Sequence, residues 1–148
     1  MTRSPTHLID SLFAGVLEDP PWMAFLEQLE DSLPCHNSTI VLRKPRAGDP
    51  GVLISPHGNR QALSLLSERM FKHSPFLDLP ERRVCTFHEM LTPTTRPLYA
   101  EYIDYLRAFG VTDLLGLDLI DPQSRLTLRL RCSRAEGEPQ FGGRERAL

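Results

Sequence analysis

No stretch of this chain approaches the roughly 18 apolar residues of a membrane-spanning helix. The N-terminus, MTRSPTHLID, has a single Arg and no apolar core, so it does not read as a signal peptide. Basic surplus is missing too: 17 Lys+Arg stand against 19 Asp+Glu, a formal charge of -2. Without that surplus, nothing here drives binding to a phosphate backbone. Cysteine is scarce. Cys35, Cys85 and Cys132, spaced roughly 50 residues apart, fit neither a disulfide framework nor a CxxC redox or zinc pair. A reducing cytoplasm is the simplest reading. Enzyme signatures are lacking as well: the chain has no GxSxG elbow, no GxxxxGK[ST] phosphate loop and no GxGxxG fingerprint. His88-Glu89-Met90-Leu91-Thr92 opens like a zinc-protease motif, but Thr92 stands where the second imidazole must be. Cys85 with His88, and Cys35 with His36, are each half a zinc site, and read as ordinary thiols and surface histidines. No metal or cofactor is expected, and no catalytic residue.

What is present is one domain. A chain of 148 residues is long enough to bury roughly 70% of its unfolded surface. Its 41% hydrophobic and 24% charged residues are those of a globular protein. The clearest stretch is 102–131, the end of an amphipathic helix followed by a hairpin. Leu115, Leu117 and Leu119 alternate on one strand, and Leu126, Leu128 and Leu130 on the next. Period two held this long marks half-buried antiparallel strands. With Asp121-Pro122-Gln123-Ser124 as the connection, Leu119 faces Leu126, Leu117 faces Leu128 and Leu115 faces Leu130. All six leucines then share a face that helices must cover. Arg125, Thr127, Arg129 and Arg131 lie on the other face, expected to be solvated or part of a subunit interface.

The remaining elements follow from caps and periodicity. Ser4 and Pro5 open a first helix to about Glu18, with Leu8, Ile9, Leu12, Phe13, Val16 and Leu17 as its apolar stripe. Asp19-Pro20-Pro21 breaks it. A second helix carries Trp22, Phe25, Leu26, Leu29 and Leu33 until Pro34 ends it. The run from Cys35 to Leu42 and the run GVLIS (Gly51 to Ser55) read as a second hairpin around a polar turn from Lys44 to Pro50. A third helix carries Leu63, Leu66, Met70 and Phe71, and a proline-punctuated loop follows from His73 to Pro80. Val84 to Phe87 reads as a short edge strand. A fourth helix begins at Thr92 or Thr95, with Leu98, Tyr102, Tyr105, Leu106 and Phe109 inward, and Gly110 stops it. Arg144 to Leu148 would be barely one helical turn, too short to stand alone. The expectation is a fragment whose natural sequence continues. The element order predicts an α+β fold, a mostly antiparallel sheet of about five strands with packed helices.

Three blocks carry a family resemblance: LIDSLFAGVLEDPPWMAFLEQL, YAEYIDYLRAFGVTDLLGLDLI and FGGRERAL. Together they resemble the N-terminal GAF/PAS-like sensor domain of LuxR-type helix-turn-helix transcriptional regulators. Pro21 and Trp22 match the Pro-Trp step of that group. Tyr102, Tyr105, Leu106, Gly110 and Leu115-Gly116-Leu117 match its helix end, glycine and apolar strand. Phe141, Glu145 and Arg146 match its Phe and the Glu-Arg that opens a long helix. The resemblance implies a cytoplasmic, homodimeric signal-input domain at 1–148, with a DNA-binding domain C-terminal to it that these residues lack. A ligand or partner would favour one arrangement of the domain, and the dimer would transmit it to the DNA-binding unit through the helix beginning near Arg144. The alternative is a dimerisation or protein-interaction module with no small-molecule ligand.

For a small-molecule site the candidates are Phe71, Phe76, Phe87, Arg96, Tyr99 and Tyr102, with Trp22 in the same aromatic set. Apolar walls with a few directional polar groups make such a site, and the two phenols and Arg96 would supply the polar groups. The same aromatic stripes also read as core.

Overall fold

The computed structural model describes residues 5–46, 51–57, 70–77 and 79–143, apart from the side chains of Pro5, Phe71 and Lys72. Five antiparallel strands form one sheet in the order β2-β1-β5-β4-β3. They are β1 (Asn37–Arg43), β2 (Val52–Ile54), β3 (Cys85–Thr86), β4 (Val111–Ile120) and β5 (Thr127–Ala135). Among the described residues four α-helices accompany them: α1 (Pro5–Ala14), α2 (Met23–Ser32), α3 (Phe87–Met90) and α4 (Ala100–Ala108). The α+β expectation holds, and Cys85–Thr86 is indeed an edge strand. The helix expected through Leu63 and Leu66 lies outside the described residues, where only the 3-10 turn Met70–His73 can be followed. The end of the polar turn before Gly51 and the helix start at Arg144 also lie outside them.

The central hairpin pairs Leu119 with Leu128, Leu117 with Leu130 and Leu115 with Cys132. The expected register is thus corrected by two residues: Leu128 and Leu130 keep their face because the period is two, while Leu126 falls in the loop before β5. The turn chemistry sets the longer loop. Asp121 accepts from the N–H and hydroxyl of Ser124, and Arg125 takes a left-handed φ of 61°. The Asp121 N–H then donates to Leu126 O at 2.9 Å and closes the hairpin.

Both faces of the sheet are covered, not the leucine face alone. On the leucine face α2 packs Leu26 against Ile40 and Ile54, with Leu42, Leu128 and Leu130 around them. Leu33, Leu115, Cys132 and Phe141 continue that layer. Leu119, near the hairpin tip, stays exposed. On the other face Met70, Phe76, Leu79, Phe87, Tyr102, Ile103 and Leu106 pack with Leu114 and Val111. Helix α4 is preceded by a 3-10 turn, Arg96–Tyr99, so Leu98 points away and is exposed, contrary to the expected stripe. Ile103 takes the buried place instead.

Helix α1 departs furthest from expectation. It packs on α2 through its small residues, Ser11 and Gly15, both buried. The Ser11 hydroxyl donates to Gln28 Oε1 at 3.1 Å. A Cβ on Gly15 would lie 2.7 Å from Trp22 Cδ1, so the close approach needs glycine. Trp22 Nε1 donates to Leu12 O at 3.1 Å and latches the helix end. The apolar stripe consequently faces outward. Among the described residues no helix is long and apolar enough to cross a membrane.

Candidate functional site

The corrected register sets opposite charges across the β4–β5 ladder. Asp118 sits opposite Arg129, and Gly116 opposite Arg131. Asp118 is buried, and its Oδ1 accepts from Arg131 NH1 at 2.7 Å while Oδ2 lies 3.9 Å from Arg129 Nε. The arginines expected in solvent at 129 and 131 are therefore mostly covered, with side chains 20% and 15% exposed. Arg125, in the hairpin loop, is exposed as expected. The cause is the loop that crosses this face. Arg131 NH2 donates to Phe76 O at 3.3 Å and Arg129 NH2 to Leu77 O at 3.4 Å, so the guanidinium groups hold the loop's carbonyls on the sheet. Arg82 N–H donates to Asp118 O at 2.9 Å and fixes the loop's far end.

Phe76 roofs this charged patch. Its ring stacks near the Arg131 guanidinium, 5.2 Å from the centroid, and rests on Gly116, where a Cβ would come within 3.0 Å of the ring. From Phe76 the aromatic wall continues. Phe87 meets it edge-on at 6.1 Å, Tyr102 lies 6.4 Å from Phe87, and Tyr105 and Phe109 follow at 5.5 and 5.6 Å. Burial pushes the Tyr102 phenol above its ordinary pKa, against a hydrogen bond with Ser74 and the nearby positive charge of Arg131. Burial likewise raises Tyr105, with Tyr102 as a neighbour. Both phenols stay protonated at neutral pH and are able to donate a hydrogen bond.

Of the candidates, Phe76, Phe87 and Tyr102 are brought together, and Tyr99 packs half-buried against the same cluster. Arg96 is exposed at the start of its 3-10 turn. The side chain of Phe71 lies outside the description, although its backbone enters the 3-10 turn beside Met70. Trp22 belongs to the opposite face, against Leu26 and Ile40. Ser74, Asp118, Arg129 and Arg131 were missed. The signal for the last three was an acid and two bases on one face of a hairpin, hidden by a register two residues short.

A second polar cluster anchors the segment after β5. Asp113 accepts from the N–H of Phe141 at 2.6 Å and of Leu114 at 3.0 Å. Arg134 stacks on the Phe141 ring at 4.1 Å and donates to Pro34 O and Pro139 O at 2.9 and 3.0 Å. Burial raises the Asp113 pKa, opposed by those two backbone hydrogen bonds and by His88 and Arg134. Beside them Cys35 packs on the cluster of Cys132 and Phe141. The Cys132 thiol is held well above the ordinary value by its hydrogen bond with Cys35 and by burial. Among the described residues no group of three His, Cys, Asp or Glu could hold a metal ion.

No protein-family model matches this chain. No curated protein matches it in sequence either. Solved structures do. The ligand-binding domain of VqsR from Pseudomonas aeruginosa is similar over 96% of this chain and 85% of its own, with TM-score 0.70 and 15% identity. Escherichia coli SdiA is similar over 80% of this chain with TM-score 0.61 and 14% identity. SdiA in complex with octanoyl-rac-glycerol covers 98% with TM-score 0.65 and 15% identity. This chain spans 50% and 61% of those two SdiA chains. The fold of this protein is thus the fold seen in SdiA and in the VqsR ligand-binding domain.

Proposed function

We propose that this chain is the GAF/PAS-like signal-input domain of a LuxR-type transcriptional regulator. In this reading it acts in the cytoplasm as a homodimer and passes a ligand-dependent change to a DNA-binding domain C-terminal to it. The carrying observation is the buried aromatic wall of Phe76, Phe87 and Tyr102, floored by Gly116 and Arg131 and closed by a loop that Phe76 and Leu79 pack, and Arg129 and Arg131 hydrogen-bond, onto the sheet. Phe71, Arg96 and Tyr99 complete the proposed site, Arg96 at its rim. The fold supports the reading, since SdiA shares it and has been solved with octanoyl-rac-glycerol. An amphiphile of that kind suits the residues: an acyl chain against the rings, and hydroxyls against the Tyr102 phenol and Ser74. No catalytic group is assigned. The segment from Asp113 to Phe141 is the proposed route out, because it ties the sheet to the chain leaving it.

Thermal denaturation with 1-octanoyl-rac-glycerol tests this. At a hundredfold excess over Kd, ligand should stabilise the domain by about 2.7 kcal/mol. Tyr102→Phe should keep the fold and lose most of that gain. No stabilisation by this or related amphiphiles would favour the other reading, an interaction module without a ligand. That reading has its own support: the Phe76 and Phe87 rings meet edge-on at 6.1 Å, and both are buried as core side chains are.

A further inference from the structure

Five large apolar side chains of the first helix and the turn after it stand in water. Ile9 is 53% exposed, Leu12 39%, Phe13 75%, Val16 61% and Leu17 91%. They are not scattered. Residues 9, 12, 13 and 16 fall on one stripe of the helix and its continuation, at the spacing of a helix–helix seam. The stripe points away from α2 because Ser11 and Gly15, on the adjoining stripe, make the intramolecular contact. Trp22 fixes that orientation through the Leu12 carbonyl.

We propose that this stripe is the surface through which two copies of the chain pair, α1 lying antiparallel against α1 of the second copy. The proposal rests on the homodimer part of the function proposed above. Three observations select a second copy as the occupant. The spacing 9-12-13-16 reads the same from either end, so a two-fold axis between residues 12 and 13 sets Ile9 against Val16 of the other copy. An isologous contact demands that self-complementarity. Asp10 is the only formally charged residue from Pro5 to Leu17 and lies off the stripe, so no like charges meet on pairing. Finally, the exposures of Ile9, Leu12, Phe13 and Val16 leave roughly 450 Å² in water per chain, about 900 Å² for the pair, close to the roughly 1,000 Å² of a specific interface.

Sedimentation velocity on the 148-residue chain, with and without Phe13→Asp, tests the seam. Phe13 is exposed within the chain, so Asp there should leave the circular-dichroism melt unchanged while weakening the dimer by about a hundredfold. Leu98→Asp, at another exposed apolar residue, should leave the dimer intact. A short bismaleimide should couple two copies of Leu12→Cys but not of Ala14→Cys, on the far side of α1; the unsubstituted chain gives the background from native cysteines. A dimer that survives Phe13→Asp and gives no Leu12→Cys coupling overturns the seam and leaves the homodimer standing. A chain that stays monomeric throughout overturns both, whether or not octanoyl-rac-glycerol stabilises it.

Discussion

Replacing Asp118 by Asn removes a carboxylate that two mostly buried guanidinium groups share. The side chain keeps its shape, and an amide oxygen can still accept from Arg131, so packing is unchanged and charge is the variable. In the native chain the 2.7 Å contact to Arg131 and the 3.9 Å approach of Arg129 offset part of that positive charge in a layer roofed by Phe76. Breaking a buried pair by removing one partner costs about 3–5 kcal/mol. The arginine side chains keep some exposure, which sets the expectation at the lower end, about 3 kcal/mol. For a domain of this size that is a drop in Tm of roughly 6–12 °C. Urea denaturation followed by circular dichroism gives the free energy, and Arg131→Met with the double variant completes the cycle. The double variant should recover about 2 kcal/mol relative to the sum of the singles. Amide exchange adds a second reading, because loss of Arg131 should speed exchange from Phe76 to Leu79 before it affects β1. A loss below about 1 kcal/mol, within the range of exposed pairs, would refute the claim that this triad pins the loop.

Gly116→Ala places a methyl 3.0 Å from the Phe76 ring and 3.1 Å from Leu79. The ring must lift, costing about 1–3 kcal/mol by calorimetry, and an unchanged melt would mean the roof is loose. Asp113 has its pKa raised from 3.8 by burial, so the folded state holds the proton more tightly than the unfolded one. Its titration therefore favours folding below pH 3.8 and loses that contribution as pH rises through the higher native value. Asp113→Asn should flatten this part of the stability–pH curve, and an identical curve refutes it. Native alkylation at pH 8, read by mass spectrometry, should label Cys35 first. Burial raises Cys85, and the hydrogen bond with Cys35 and burial raise Cys132; equal rates at all three would contradict this.

The sequence reveals periods more readily than directions. Alternation along β4 and β5 identified two faces, and a slip of two residues left that assignment intact. It could not reveal the register, which depends on Arg125 accepting a left-handed conformation and on Asp121 capping its own turn. Helical spacing from Leu8 to Leu17 likewise marked a stripe without saying which way it faces. Small residues decided that, since Ser11 and Gly15 allow a closer approach to α2 than the leucines would. In the site, aromatic content pointed to Phe76, Phe87 and Tyr102. The charges beneath them were read as solvated because a covering loop leaves no periodic trace.

The strand order β2-β1-β5-β4-β3 bears on how the chain comes off the ribosome. Asn37 and Ser133, 96 residues apart, meet side by side in the sheet. Until β5 is synthesised, β1 has only the three-residue β2 beside it, and its β-branched edge at Thr39, Ile40 and Val41 lies open. At ordinary elongation rates that interval lasts about 5–20 s. High contact order then slows the closing step further. During that window the nascent chain carries an unsatisfied strand edge, a natural target for a holding chaperone.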